Sequence, residues 1–118
     1  IDMKIMIHKI HTGEELESEY TIGSDTFNEI LYPGDRRNCL KCHVGSTFTV
    51  PLPATATSST TPRGYWDPMR PTAAACLGCH DSLEAAVHAL VNTASFGESC
   101  SVCHKEAAAF SVSRSHAR

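Results

Sequence analysis

A chain of 118 residues has room for one domain and is too short for two of ordinary size. Its 42% hydrophobic content is near the globular average, yet four Phe, one Trp and three Tyr are few large side chains from which to build a core. A formal net charge of -3 with no clustered Lys/Arg run sets nucleic acid aside as a partner, and no apolar stretch is long enough to span a bilayer.

In chain order, Asp2 reads as the cap of a helix over Met3–Thr12, with Gly13 as its stop. Met3, Ile7 and Ile10 share a face of it, although Met3, Ile5 and Ile7 also alternate as a strand would. Between Glu14 and Leu31 the pattern is mixed, with a short hairpin expected around Gly23-Ser24-Asp25. Tyr32-Pro33-Gly34-Asp35 is a turn that leads into Cys39-Leu-Lys-Cys42-His43. A long connector over Gly45–Pro71 follows, whose prolines 51, 53, 62, 68 and 71 rule out regular helix through most of it. It is either a plain surface loop or a segment whose Tyr65, Trp66 and Met69 fold back on a prosthetic group. Cys76-Leu-Gly-Cys79-His80 comes next, then a helix capped by Asp81 or Ser82 and running to Val91, with an apolar stripe of Leu83, Ala86, Val87, Leu90 and Val91. A further helix is expected from Ser99, carrying Cys100-Ser-Val-Cys103-His104 through to Phe110, before a short polar tail to Arg118.

The pattern Cys-x-x-Cys-His is the attachment site of a c-type heme: two thiols add across the porphyrin vinyl groups and the adjoining imidazole binds the iron. Three copies consume all six cysteines and leave none for a disulfide. His43, His80 and His104 are therefore the expected proximal ligands, and Cys39, Cys42, Cys76, Cys79, Cys100 and Cys103 the three tethers. Seven histidines serve three irons, so His8, His11, His88 and His116 remain as candidates for three distal positions, with Met3, Met6 and Met69 as sulfur competitors. Enough imidazole is present for bis-His coordination throughout. His8 and His11 lie about 60° apart around a helix and about 4.5 Å along it, so they cannot take the two opposed axial sites of one heme and must serve different ones if both bind. His80 and His88 are about 12 Å apart along a continuous helix and should not share an iron. Spacing leaves His88 divided between a solvated residue and a ligand of another heme, and says little for His116. One histidine is surplus, either idle or ligating a heme outside the chain.

Several segments resemble the outer-surface multiheme cytochromes of the OmcA/MtrC type. They are Met6-Ile-His-Lys-Ile-His11-Thr-Gly13, Tyr32-Pro-Gly-Asp-Arg-Arg-Asn-Cys39, Pro71-Thr-Ala-Ala-Ala-Cys76 with the motif that follows, and Glu98-Ser-Cys100-Ser-Val-Cys103-His104. The resemblance implies that His8, His11, His88 and His116 are all distal ligands. Such proteins carry more hemes than three, in two heme domains separated by β-rich ones, and the chain resembles the latter part of one heme domain. The surplus histidine would then belong to a heme upstream.

These readings define one expected architecture: a single triheme cytochrome c domain over residues 1–118, of short α-helices and long irregular loops packed around three covalently bound hemes, with little β. The chain is expected to be a mature piece or fragment of a larger cytochrome, located at the cell exterior or outer-membrane surface, with the periplasm as second choice. Its expected function is single-electron conduction rather than catalysis. The expected partners are other redox proteins, hemes of neighbouring chains, metal oxides or soluble shuttles. The alternative is a nitrite, hydroxylamine or sulfite reductase, which needs one iron with an open axial site. Structural zinc on the Cys-x-x-Cys pairs would leave the adjoining histidines unexplained. Without porphyrin, so small a core should leave the chain largely unfolded.

Overall fold

Two local signals set the first element of the computed structural model, which describes residues 1–61 and 65–116. The Asp2 carboxylate accepts the Lys4 backbone N–H at 2.9 Å and starts α1 (Met3–Thr12). Gly13, at φ 51°, ends it and donates its N–H to the Lys9 carbonyl. A Cβ at Gly13 would stand 2.0 Å from the Ile30 carbonyl oxygen, so the chain can pass this close only without a side chain. Asp2 also binds the Lys4 ammonium and the buried Ser59 hydroxyl, which ties α1 to the connector. Burial raises the Asp2 pKa, but these hydrogen bonds outweigh it and hold the carboxyl at about 2.

The expected hairpin forms as β1 (Thr21–Ile22) against β2 (Asp25–Thr26), antiparallel, with Thr21 opposite Thr26. The connector contains no regular helix among its described residues before Pro71. Two backbone hydrogen bonds between Ser59 and Met69 pinch it into a loop. At its tip the exposed Tyr65 and Trp66 rings meet each other edge-on at 5.2 Å. The expectation resting on Pro62 and the last residues of the tail, 117–118, lie outside the described residues.

The sequence-based expectation places no helix directly after the connector. Pro71 does not merely end the connector but opens α2 (Pro71–Cys76), at the helix position where a missing N–H costs nothing. The Glu98 carboxylate takes the free Thr72 and Ala73 N–H groups at 3.0 and 2.7 Å. Next comes α3 (Leu83–Val91), capped by the Ser82 hydroxyl, which accepts from Ala85 N–H. The alternative cap, Asp81, is engaged elsewhere: it accepts the Glu17 and Ser18 backbone N–H groups and faces Lys9. A second hairpin, β3 (Thr93–Ala94) with β4 (Gly97–Glu98), then reverses the chain into the third motif.

The expected helix from Ser99 to Phe110 is much shorter. Only α4 (Ser101–His104) forms; Lys105 is extended and bridges to Val50, and Ala107 sits at φ 68°. The alanine run has helix propensity, but tertiary pairing overrides it. The polar tail does contain a helix, α5 (Val112–His116).

The architecture is thus one of short helices, two minimal hairpins and long irregular loops, of the kind expected. Its apolar interior is small: among the described residues only Leu16, Val50, Ala73 and Ala74 are buried hydrophobics, and no large side chain is fully buried. The apolar stripe of α3 faces outward, with Leu83 at 74%, Leu90 at 72% and Val91 at 73% exposure. Each such side chain left in water forgoes roughly 1.5–3 kcal/mol of burial, and the exposed ones together forgo more than Leu16 and Val50, the larger buried apolar side chains, supply. A variant with all six cysteines changed to Ser, which cannot be tethered to porphyrin, should therefore show the circular dichroism of a disordered chain and no cooperative melt. A helical, cooperatively melting heme-free chain would contradict this.

Candidate heme-binding site

The three Cys-x-x-Cys-His segments share one local conformation. In each, the histidine N–H returns to the carbonyl of the first cysteine: His43 to Cys39 at 2.8 Å, His80 to Cys76 at 2.9 Å, and His104 to Cys100 at 2.9 Å. This single helical turn brings positions i, i+3 and i+4 to one side, so both thiols and the imidazole converge. None of the six thiols forms a disulfide.

Three of the four remaining histidines come to stand opposite a motif histidine. His8, on α1, faces His43 with ring centroids 6.1 Å apart and planes 11° apart. His116, on α5, faces His80 at 5.8 Å and 72°. His88, on α3, faces His104 at 6.1 Å and 88°. Two imidazoles bound on opposite sides of one metal, at about 2.0–2.1 Å per metal–nitrogen bond, place their centroids about 6 Å apart. All three pairs stand at that separation. His11 meets no imidazole and lies against the Tyr32 ring at 5.3 Å. Among the described residues, no three His, Cys, Asp or Glu side chains converge on one point.

Polar contacts pin the segments that carry these rings. Arg36, just ahead of the first motif, reaches the Thr12 carbonyl and the Glu15 carboxylate at the end of α1, which brings that motif beside His8. Asp81, next to His80, holds Lys9 and the chain after α1, fixing the second motif against the same helix. The second hairpin returns the chain so that α3 and the third motif lie side by side, with Ser99 bonded to Asn92 and Asn92 to the His88 carbonyl.

Several imidazoles are oriented by a partner at Nδ1. His104 lies 2.9 Å from the Phe110 carbonyl, His116 2.9 Å from the Val112 carbonyl, and His43 3.3 Å from the Thr47 hydroxyl. A carbonyl can only accept, so Nδ1 of His104 and His116 carries the proton and Nε2 keeps its lone pair for a metal. Nδ1 of His8 is buried without a hydrogen bond. Burial, then the adjacent His43, lowers the His8 pKa, and burial, then His116 and His104, lowers that of His80. Neutral imidazole is the form that binds metal.

Burial and the neighbouring Cys79 and Cys42 push the Cys39 thiol up. Cys76 keeps contact with solvent, yet protein packing around its sulfur, then Cys100, Glu98 and Cys79, push that thiol up to about 11. The thiols of the second motif are thus near enough to those of the first and the third to act on them electrostatically. A largely apolar cavity of about 410 Å3 lies between Cys39, Leu40, Phe48 and His116, bordering the first motif and the ligand candidate facing the second. The Nδ1 partners and Tyr32 were not singled out as site residues from the sequence. Only the His116–Val112 spacing of one helical turn gave a readable signal.

Thioether-ready thiol pairs, each with an adjoining imidazole and a second imidazole opposite, define a c-type cytochrome. Residues 1–117 match the family described as outer membrane cytochrome MtrC/MtrF-like, domains II/IV, and the chain belongs to it. No curated protein and no solved structure matches the chain. Family membership makes heme c its prosthetic group, electron transfer its class of activity, and the outer membrane its location. The donor set fits that group, since each motif offers two thiols and one imidazole with a second imidazole at one metal's width.

Proposed function

We propose that this chain conducts single electrons through three c-type heme sites held in a row, as part of extracellular electron transfer. Heme c supplies a one-electron Fe(III)/Fe(II) couple when bound. Cys39 and Cys42, Cys76 and Cys79, and Cys100 and Cys103 are the thioether tethers. His43 with His8, His80 with His116, and His104 with His88 would hold the three irons. The observation that carries this reading is the metal-width separation of all three imidazole pairs.

The residues have separable tasks. Tethering fixes each porphyrin permanently, which matters outside the cell where a released group would be lost. Two imidazoles at each site would bind the iron from both sides and leave no place for a small-molecule substrate, which favours conduction over reductase chemistry. Carbonyl acceptors at His104 and His116 Nδ1 increase imidazole basicity and thereby tune the site. The outward apolar faces of Leu83, Leu90 and Val91 pack against porphyrin. His11, beside Tyr32 and without an imidazole partner, ligates a heme outside this chain and so continues the row beyond the first motif. Electrons pass to other redox proteins, to neighbouring hemes, or to metal oxides and soluble shuttles.

Two measurements test the assignment. Near-parallel imidazoles split the iron d orbitals that they donate into, whereas near-perpendicular ones leave them close in energy. Electron paramagnetic resonance of the oxidised protein should therefore show low-spin signals only: one ordinary rhombic signal for the His8–His43 site and two strongly anisotropic ones for the others. A single signal type for all three, or a stoichiometric high-spin signal, would contradict the ring geometry. Reduced protein exposed to carbon monoxide should keep its Soret band unchanged, and nitrite should not be consumed. Rapid carbon monoxide binding at one site would instead establish an open iron.

A further inference from the structure

Gly78 occupies the last variable position of the second motif and is buried. Its φ lies outside the left-handed region, so its backbone would accept other residues. What it lacks is room. A Cβ built there would stand 2.6 Å from the His8 Cβ and 3.4 Å from its Cγ, with the Ala75 carbonyl oxygen at 3.1 Å. The neighbouring Cys79 Sγ lies 3.9 Å from the His8 carbonyl. The backbone of the second motif therefore rests on α1 at the residue whose ring faces His43, the histidine of the first motif.

From this we infer that Gly78 is a positioning residue for the first heme site, not the second: the second motif is the seat that holds His8 at binding distance opposite His43. The inference rests on the axial pairing of His8 with His43 proposed above. Any side chain at position 78 must displace the His8 main chain or tilt α1, because the conflict is with a Cβ rather than a movable side-chain end. A displacement of a few tenths of an ångström or more at Cβ is magnified at the ring. The sites of the first and second motifs are coupled mechanically through this contact. Motif chemistry alone gives no reason for it, since the two variable positions take no part in tethering.

The test is Gly78→Ala in the full chain with hemes attached, compared with the unsubstituted protein. The expected result is three heme adducts by mass, with one of the three ferric sites converted from low-spin to high-spin. The signal lost should be the rhombic one of the near-parallel pair, and added imidazole should restore it. Retention of three low-spin sites with unchanged signals would overturn the inference, as would conversion of a near-perpendicular site. Should Gly78→Ala fail to mature, the double variant Gly78→Ala with His8→Gly decides. Recovery of three heme adducts shows that the conflict was with His8, and continued failure overturns the proposal. Absence of bis-imidazole low-spin signals in the unsubstituted protein would refute the ligand pairing itself, a result distinct from either outcome for Gly78.

Discussion

Three pairs of imidazoles carried by separate segments meet in this protein, and the proposed function depends on those three meetings. α1 is brought to the first motif, α5 to the second, and α3 back to the third, each ending with two imidazoles about one metal's width apart. The protein's own apolar interior cannot enforce such meetings, because it amounts to a few small side chains around Leu16, Val50, Ala73 and Ala74. What the polypeptide supplies alone is a set of polar pins: Asp2 on Ser59, Arg36 on the end of α1, Asp81 on Lys9 and the chain behind it, and Glu98 on the start of α2. These orient the segments. A metal–imidazole bond on each side, with a large apolar disc between, would lock them.

The arrangement also accounts for the unusual distribution of apolar surface. A helix such as α3, with Leu83, Val87, Leu90 and Val91 all outward, would be a liability in an ordinary globular protein. Against a porphyrin the same stripe becomes core. Cofactor and fold would then be a single energetic unit. The thiols of the second motif act electrostatically on those of both the first and the third, so the second motif lies near each of them.

The legible parts of the chain were those governed by local chemistry. Asp2 and Gly13 bound α1 and Ser82 begins α3 because caps and stops act within a few residues. The hairpin at Gly23 is legible for the same reason, and so are the three motifs. What could not be read was set at a distance. α2 has its N–H groups satisfied by Glu98, far along the chain, so Pro71 looked like the end of a loop rather than the start of a helix. The helix at Ala107–Phe110 was overdrawn because its alanines favour helix, whereas Lys105 is claimed by Val50 and the following loop curls back to the Nδ1 of His104. The candidate histidines could be listed from the motifs and the histidine count. Which of them face each other could not, since His88 and His116 meet their partner rings only through the hairpin and the tail helix.

The most direct test is an anomalous difference map at the iron absorption edge from crystals of the heme-loaded protein. Three peaks per chain are predicted, one midway between His8 and His43, one between His116 and His80, and one between His88 and His104. Fewer peaks, or an iron bound by any other combination of these side chains, would contradict the account.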